Sequence, residues 1–192
     1  MYYNSILNLL SSILIFYFID KCLLYLGDNN SKRRWYLIHA LANTYVVVYG
    51  FNNIINCFKD PFSIINKNFT NTLLLDFVIG LHLYHIFTSF NNLRIVDWIH
   101  HLVSCILVGY SSLLIGNTYL VNYILFFLCG LPGGIDYYLL TLEKYNIINK
   151  IVEKRINVYL NICIRLPGIL FALFMTYLNY IYNINDKYSY CD

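Results

Sequence analysis

The sequence predicts an all-α integral membrane protein, a bundle of about six transmembrane helices. Only 12% of its 192 residues are charged and 59% are hydrophobic, whereas about a quarter of the residues of a soluble domain are charged. The hydrophobic residues form six runs, each long enough to cross about 30 Å of hydrocarbon as a helix. The runs cover residues 4–26, 35–58, 71–90, 95–115, 118–142 and 156–182.

The connections between these runs are short, so consecutive helices are expected to be antiparallel neighbours in one bundle. Gly116-Asn117 alone turns the fourth run into the fifth. The first run has no basic region before it and no small-residue cleavage site after it, which favours a retained helix over a cleaved signal peptide. We therefore divide the chain into a first helix with its basic loop (1–30), a main helical domain (31–182) and a short tail (183–192).

Basic residues predict the orientation, because the cytosolic loops of membrane proteins are enriched in Lys and Arg. The loops after runs one, three and five hold eight of them, and the opposite side holds three. Both termini are therefore expected outside the cell or in a lumen, with Asn68-Phe69-Thr70 as a lumenal glycosylation sequon. The two groups are Lys32, Arg33, Arg34, Arg94, Lys144, Lys150, Lys154 and Arg155, against Lys59, Lys67 and Lys187.

Several functional classes have no signature in the sequence. It contains no nucleotide-binding glycine loop and no GxSxG nucleophile motif, and no charge run is long enough to bind nucleic acid. The six cysteines are scattered without CxxC spacing, which indicates buried small side chains rather than disulfides or a zinc site. They are Cys22, Cys57, Cys105, Cys129, Cys163 and Cys191. The sequence therefore predicts neither a bound metal nor a nucleic-acid partner.

All five histidines are expected in the same half of the membrane. His39 lies about one turn into the second run, His82 and His85 lie near the end of the third, and His100 and His101 open the fourth. A single histidine near a helix end is more often a packing residue than a catalyst. Five together predict a shared polar site, because an ionisable group at mid-bilayer costs about 2.5–3.5 kcal/mol and normally faces an interior cavity.

Three further ionisable residues are expected near these histidines. Asp97 precedes His100 by three residues and His101 by four, so its carboxylate can reach either ring along one helix face. We predict that Asp97 orients an imidazole and stabilises its charged form. Asp136 on the fifth run and Arg165 on the sixth fall in the same half of the membrane and are predicted to join the site.

Proline and glycine interrupt the last two runs. Pro132 lies between Gly130 and Gly133-Gly134, and Pro167-Gly168 follows Arg165. One interpretation is that these residues open backbone polar groups towards a cavity. The other is ordinary helix packing through small residues.

Four segments of the main domain carry a resemblance to a known family. They are SKRRWYLIHALANTYVVVYG (31–50), DFVIGLHLYHIF (76–87), VDWIHHLVS (96–104) and GLPGGIDYYLL (130–140). In this order along a six-helix chain they resemble the TLC domain, named for translocation-associated, ceramide synthase and neuronal lipofuscinosis membrane proteins. The similarity covers roughly residues 31–182.

The resemblance implies lipid chemistry. In the ceramide synthases of the family, paired histidines serve acyl transfer from acyl-CoA to a sphingoid amine, which implies that role for His100 and His101. Asp136 lacks the adjoining His of the synthases, and Ser104 stands in place of their usual Thr. The chain therefore more closely resembles the smaller TLC-domain proteins, many of which are linked to membrane lipid composition or trafficking.

These observations predict a multi-pass protein that binds, senses or modifies membrane lipids in the endoplasmic reticulum or another internal membrane, a host membrane if the chain is viral. Its expected partners are membrane lipids, among them a sphingoid base, with acyl-CoA as the co-substrate. No other cofactor is expected, and the chain can form an oligomer. The predicted catalytic residues are His100, His101 and Asp97, and the predicted substrate-binding residues are His82, His85, His39, Asp136 and Arg165.

Two alternatives remain open. His82-x-x-His85 with His100-His101 resembles part of a histidine-rich oxidoreductase, although five histidines are few for two irons that need about four to six ligands each. A purely structural or trafficking membrane protein is the other.

Overall fold

A computed structural model describes residues 2–65, 71–109, 112, 115–116 and 118–189. Within these ranges the chain forms six helices and no strand, which confirms the predicted all-α bundle. The helices are α1 (Tyr2–Tyr25), α2 (Ser31–Lys59), α3 (Leu73–Ser89), α4 (Ile95–Val103, continued by a π-helical turn at Ser104–Val108), α5 (Thr118–Lys144) and α6 (Lys150–Leu160, Asn161–Arg165 and Leu166–Ser189). The predicted sequon at 68–70 and residue 117 of the predicted turn lie outside the described residues.

Four of the six helices are long and apolar enough to cross a membrane, namely α1, α3, α5 and α6. The chain is therefore a multi-pass helical membrane protein. Helix α2 is long enough at 29 residues, but it begins with a run of basic residues and carries several asparagines. The described apolar stretch of α4, Ile95–Ile106, is shorter than the other four. Six helices were expected, and six are present in the described residues. Four of them are long and apolar enough to cross a membrane.

Helix α6 begins at Lys150, six residues before the predicted run. The side chain of Asn149 accepts a hydrogen bond from the backbone nitrogen of Ile151 at 2.9 Å, which caps the first turn. Hydropathy locates only the apolar part of such a helix, so the charged first turns were expected to be loop. The last helical segment likewise continues to Ser189, into the predicted tail.

The helices pack in two main pairs, α1 against α3 and α2 against the second half of α5. Phe16, Ile38 and Leu81 belong to a buried cluster that joins α1, α2 and α3. A second cluster, which includes Val46 and Leu125, joins α2 to α3 and α5. Helix α4 packs chiefly against α3 and lies at the edge of the bundle.

The turn between α1 and α2 is held by two ion pairs. Arg33 Nε donates to Asp28 Oδ1 at 2.8 Å, and Arg34 Nε donates to Asp20 Oδ1 at 2.7 Å. The bond from Arg33 holds the pKa of the Asp28 carboxyl below its ordinary value. These contacts account for the two arginines that the charge count alone placed in a cytosolic loop.

Each of the two membrane prolines is preceded by a π-helical turn. Phe126–Gly130 ends two residues before Pro132, and Asn161–Arg165 ends two residues before Pro167. A proline has no backbone N–H and its ring crowds the carbonyl four residues earlier. The wider turn accommodates that ring. The Leu128 carbonyl lies four residues before Pro132, so Pro132 supplies no N–H to it.

The glycines around Pro132 bring α5 close to α2. A β-carbon at Gly130 would lie 2.9 Å from Val46 Cγ1, and one at Gly133 would lie 3.0 Å from Asn43 Nδ2. Both distances are tighter than ordinary contacts, so larger residues would push the helices apart. Of the two interpretations of this segment, close helix packing is the one that these contacts support.

Candidate functional site

The five histidines form one cluster, although they come from three helices. His39 lies on α2, His82 and His85 on α3, and His100 and His101 on α4. The ring centroids of His82 lie 5.2 Å from those of both His100 and His101. Those of His85 and His101 are 4.8 Å apart, and those of His39 and His85 are 6.3 Å apart. We refer to these five residues as the histidine cluster.

His101 is the centre of the cluster. Its Nδ1 lies 3.0 Å from His82 Nδ1, and its Nε2 lies 2.8 Å from His85 Nδ1. The side chain is buried, with only 1% of its surface exposed. A neutral imidazole has one donor and one acceptor nitrogen, so His101 can donate to one of its neighbours and accept from the other.

Aromatic side chains form the wall behind the cluster. The ring of Trp35 stacks on His85 with centroids 3.3 Å apart and planes 19° apart. His39 packs edge-on against Trp35, and its Nδ1 lies 3.2 Å from the Trp35 carbonyl oxygen, to which it can donate. Tyr137 of α5 packs on the other side of His39, with centroids 4.4 Å apart. His39 Nε2 is buried, and no described residue forms a hydrogen bond with it.

The cluster is closed on the bundle side and open on the side of α4. His82 and His101 are buried, whereas His100 is exposed. Its neighbours Ile99 and Leu102 on α4 are also exposed, at 56% and 51%. A group that approaches His100 therefore comes from outside the bundle, past an apolar helix surface.

The spacing of three of the rings suits a metal ion. One nitrogen each of His82, His100 and His101 lies within 4.8 Å of the other two. His39 and His85 fall outside this set. Imidazole nitrogen is a common ligand of zinc, copper, iron and nickel in proteins.

Asp97 does not contact the histidines by hydrogen bonds within the described residues. Its Oδ1 and Oδ2 accept from Arg94 Nη2 and Nε, both at 3.0 Å, and Oδ2 also accepts from the backbone nitrogen of Arg94 at 3.1 Å. The carboxylate caps the first turn of α4 and is held by the preceding arginine. Arg94 is thus a two-point hydrogen-bond partner of the carboxylate, while the charge of Asp97 acts on His85, His100 and His101 only through space. That Asp97 orients an imidazole stays a prediction.

Asp136 and Arg165 lie near each other, between α5 and α6. Arg165 Nε donates to the Leu128 carbonyl oxygen at 3.0 Å, and its Nη1 donates to Asn161. Asp136 faces the carboxyl group of Glu153. Both residues interact with Tyr137, which packs on His39, and their role in the site stays a prediction.

Glu153 is a buried ionisable residue that the sequence pattern did not predict. It is 1% exposed. Its Oε2, like Oδ1 of Asp136, is buried and accepts no hydrogen bond from the part of the chain that the structure describes. Its place among Lys150, Lys154 and Arg155 made it resemble a loop residue. The one available signal was its spacing of seven residues from the buried Leu160, which places both on one helix face.

Asp76 is the acidic residue of α3, and it lies at the opposite end of that helix from the histidine cluster. Ser5 Oγ donates to its Oδ1 at 2.7 Å, and Thr72 Oγ1 donates to its Oδ2 at 2.6 Å. These hydroxyls account for its burial near the start of the helix, so a role in the site is not required.

No family model, curated protein or solved structure matches the chain.

Proposed function

We propose that this protein modifies membrane lipids at the histidine cluster, by a histidine-dependent acyl transfer of the kind that the TLC resemblance implies. The observation that carries the proposal is the juxtaposition of a buried His101, held between His82 and His85, with an exposed His100. Burial positions the reacting group, and exposure admits a substrate.

The depth of the cluster favours a lipid substrate. His101 lies six residues after Ile95, about 9 Å along the helix axis at 1.5 Å per residue. His85 lies four residues before Ser89, or about 6 Å from that helix end. The headgroup region of a bilayer is about 5–7 Å thick on each side of the hydrocarbon. The cluster would therefore lie near the boundary between headgroups and chains, where the acyl bonds of lipids are found.

The reaction proposed transfers an acyl group from acyl-CoA to a lipid amine. The amine nitrogen attacks the thioester carbonyl, its proton passes to an imidazole, and the bond to sulphur breaks as the thiol leaves with a proton. An imidazole can serve as a general base or accept the acyl group itself. His100 and His101 are the residues on which turnover should depend.

The proposal is tested with purified protein in lipid nanodiscs, supplied with acyl-CoA and a long-chain amine and followed by mass spectrometry of the amide product. We expect product from the wild type and a loss of about 10²-fold or more in His101→Ala, the range for removal of an acid–base group. Cys163→Ser is a suitable control, because Cys163 is an exposed residue of α6. If neither the wild type nor the control forms product with any acyl-CoA and amine pair, the acyl-transfer proposal is wrong.

A second candidate function, metal-dependent lipid oxidation, is favoured only by the convergence of His82, His100 and His101. Two irons need about four to six ligands each, and the cluster supplies five imidazoles in all. The nearest acidic residue on α4, Asp97, has both oxygens bound by Arg94. We therefore rank oxidation below acyl transfer.

A further inference from the structure

Three imidazoles of the histidine cluster converge in a way that hydrogen bonding alone does not require. The ligand nitrogens of His82, His100 and His101 all lie within 4.8 Å of one another. His82 and His101 present the same atom, Nδ1, to each other at 3.0 Å. Two nitrogens that face each other need either a proton between them or a shared cation.

The distances fit a zinc-sized ion with small adjustments. Zinc binds imidazole nitrogen at about 2.0–2.1 Å, which places tetrahedral ligand atoms roughly 3.3 Å apart. The pair His82 and His101 is already near that separation, at 3.0 Å. His100 has to move inwards, by up to about 1.5 Å from the outer limit of 4.8 Å, to reach tetrahedral spacing. It lies on the exposed side of the cluster.

The surroundings of His101 supply the second feature of a metal ligand. A metal-bound imidazole usually donates its other N–H to an acceptor that fixes its orientation. If Nδ1 of His101 binds the ion, the proton is on Nε2, which lies 2.8 Å from His85 Nδ1. His85 is in turn fixed by its stack on Trp35, with centroids 3.3 Å apart. The orienting partner is therefore already in place.

We propose that His82, His100 and His101 bind one divalent first-row metal ion, for which zinc is the best match. Three neutral imidazoles and no carboxylate suit zinc better than non-haem iron. Three protein ligands leave the fourth position open, as in catalytic zinc sites. That position is on the side of the exposed His100, where a lipid carbonyl can reach it.

This metal site differs from the sequence-based prediction of no bound metal. Its existence does not depend on the proposed acyl transfer, but the role given to the ion does rest on that proposed function. The ion would polarise an acyl carbonyl bound at its open position, where the amine attacks. His39 and His85 lie outside the ligand set. His100 and His101 would then act in turnover by holding the ion.

The test measures metal content in protein purified in detergent with a tag that contains no histidine. After equilibration with zinc and removal of free metal, elemental analysis should give about one zinc ion per wild-type chain. Cobalt loading should give the visible absorption of a tetrahedral site. His100→Ala should abolish both signals, and its exposed side chain leaves no buried cavity when removed. His82→Ala should do the same.

His39→Ala is the matched control, because it removes a buried imidazole of the same cluster that is not among the three converging ligands. It should retain the metal. His85→Ala should retain it with affinity lowered about 10–100-fold, as expected for loss of an orienting partner. Circular dichroism and gel filtration establish that each variant is folded. Equal metal content in the wild type and in folded His100→Ala would overturn the proposal.

The outcomes separate this inference from the proposed function. Zinc that depends on His82 and His100, without formation of any amide product, supports the metal site and refutes acyl transfer. Undiminished product from protein stripped of metal by a chelator supports acyl transfer and refutes the metal as its cofactor.

Discussion

The contact between Arg165 and the Leu128 carbonyl can be tested by a double-mutant cycle. Pro132 supplies no N–H to this carbonyl, and Arg165 Nε donates to it at 3.0 Å. Replacing Arg165 by Met leaves a buried acceptor without a donor, which costs about 1–3 kcal/mol. In a protein of this size 1 kcal/mol corresponds to about 2–4 °C in Tm. We therefore expect Arg165→Met to lower Tm by about 2–12 °C.

In the Pro132→Ala background the same change should cost less, by about 1 kcal/mol or more, because the new N–H at position 132 can bond to Leu128. The loss of the charge and of the bond to Asn161 is common to both backgrounds and cancels in the cycle. Thermal unfolding in detergent, followed by helical circular dichroism, measures each variant. An equal cost of Arg165→Met in both backgrounds would refute the reasoning.

Three further predictions concern packing, pH and the cap of α4. Gly133→Ala should destabilise the protein by about 1–3 kcal/mol, because the added carbon would lie 3.0 Å from Asn43 Nδ2. Gly50→Ala is the control: its added carbon would lie 3.6 Å from the nearest neighbour, so the same melting assay should show little change. The ion pair between Asp28 and Arg33 stabilises the fold, and folding lowers the pKa of the Asp28 carboxyl. The pair is therefore fully formed above the unfolded-state pKa of about 4 and is lost as pH falls through the lower folded value. The Tm difference between wild type and Asp28→Asn should shrink below pH ~4, and a difference that stays constant down to pH ~2 would contradict this. Asp97→Asn should leave metal content and amide formation unchanged and destabilise only the start of α4, by at most about 1 kcal/mol. Loss of metal or of amide product in the folded variant would instead support the predicted role of Asp97 in orienting an imidazole.

The convergence of the histidines followed from the sequence because a short connection fixes the relative height of neighbouring antiparallel helices. His82 and His85 near the end of one helix had to lie at the level of His100 and His101 near the start of the next. That reasoning uses only distance along the helix axis. It does not depend on how each helix is rotated.

Rotation is what the sequence could not supply. Each residue turns an α-helix by about 100°, and a π-helical turn accommodates one extra residue and changes the face presented by everything after it. Asp136 follows one such turn and Arg165 ends another, so the neighbours of both depend on a rotation that the sequence pattern does not give. Spacing along a helix also does not reveal competition from a residue outside it, as Arg94 competes for the carboxylate of Asp97.

The stack of Trp35 on His85 gives the protein an optical reporter of its own. The chain contains two tryptophans, and the other, Trp98, packs against Phe90 with ring centroids 5.1 Å apart. The emission of an indole is sensitive to the charge and orientation of a ring in contact with it. Light emitted by Trp35 should therefore change when an ion or a lipid reorganises the histidines, and a Trp98→Phe variant would isolate that signal without any attached dye.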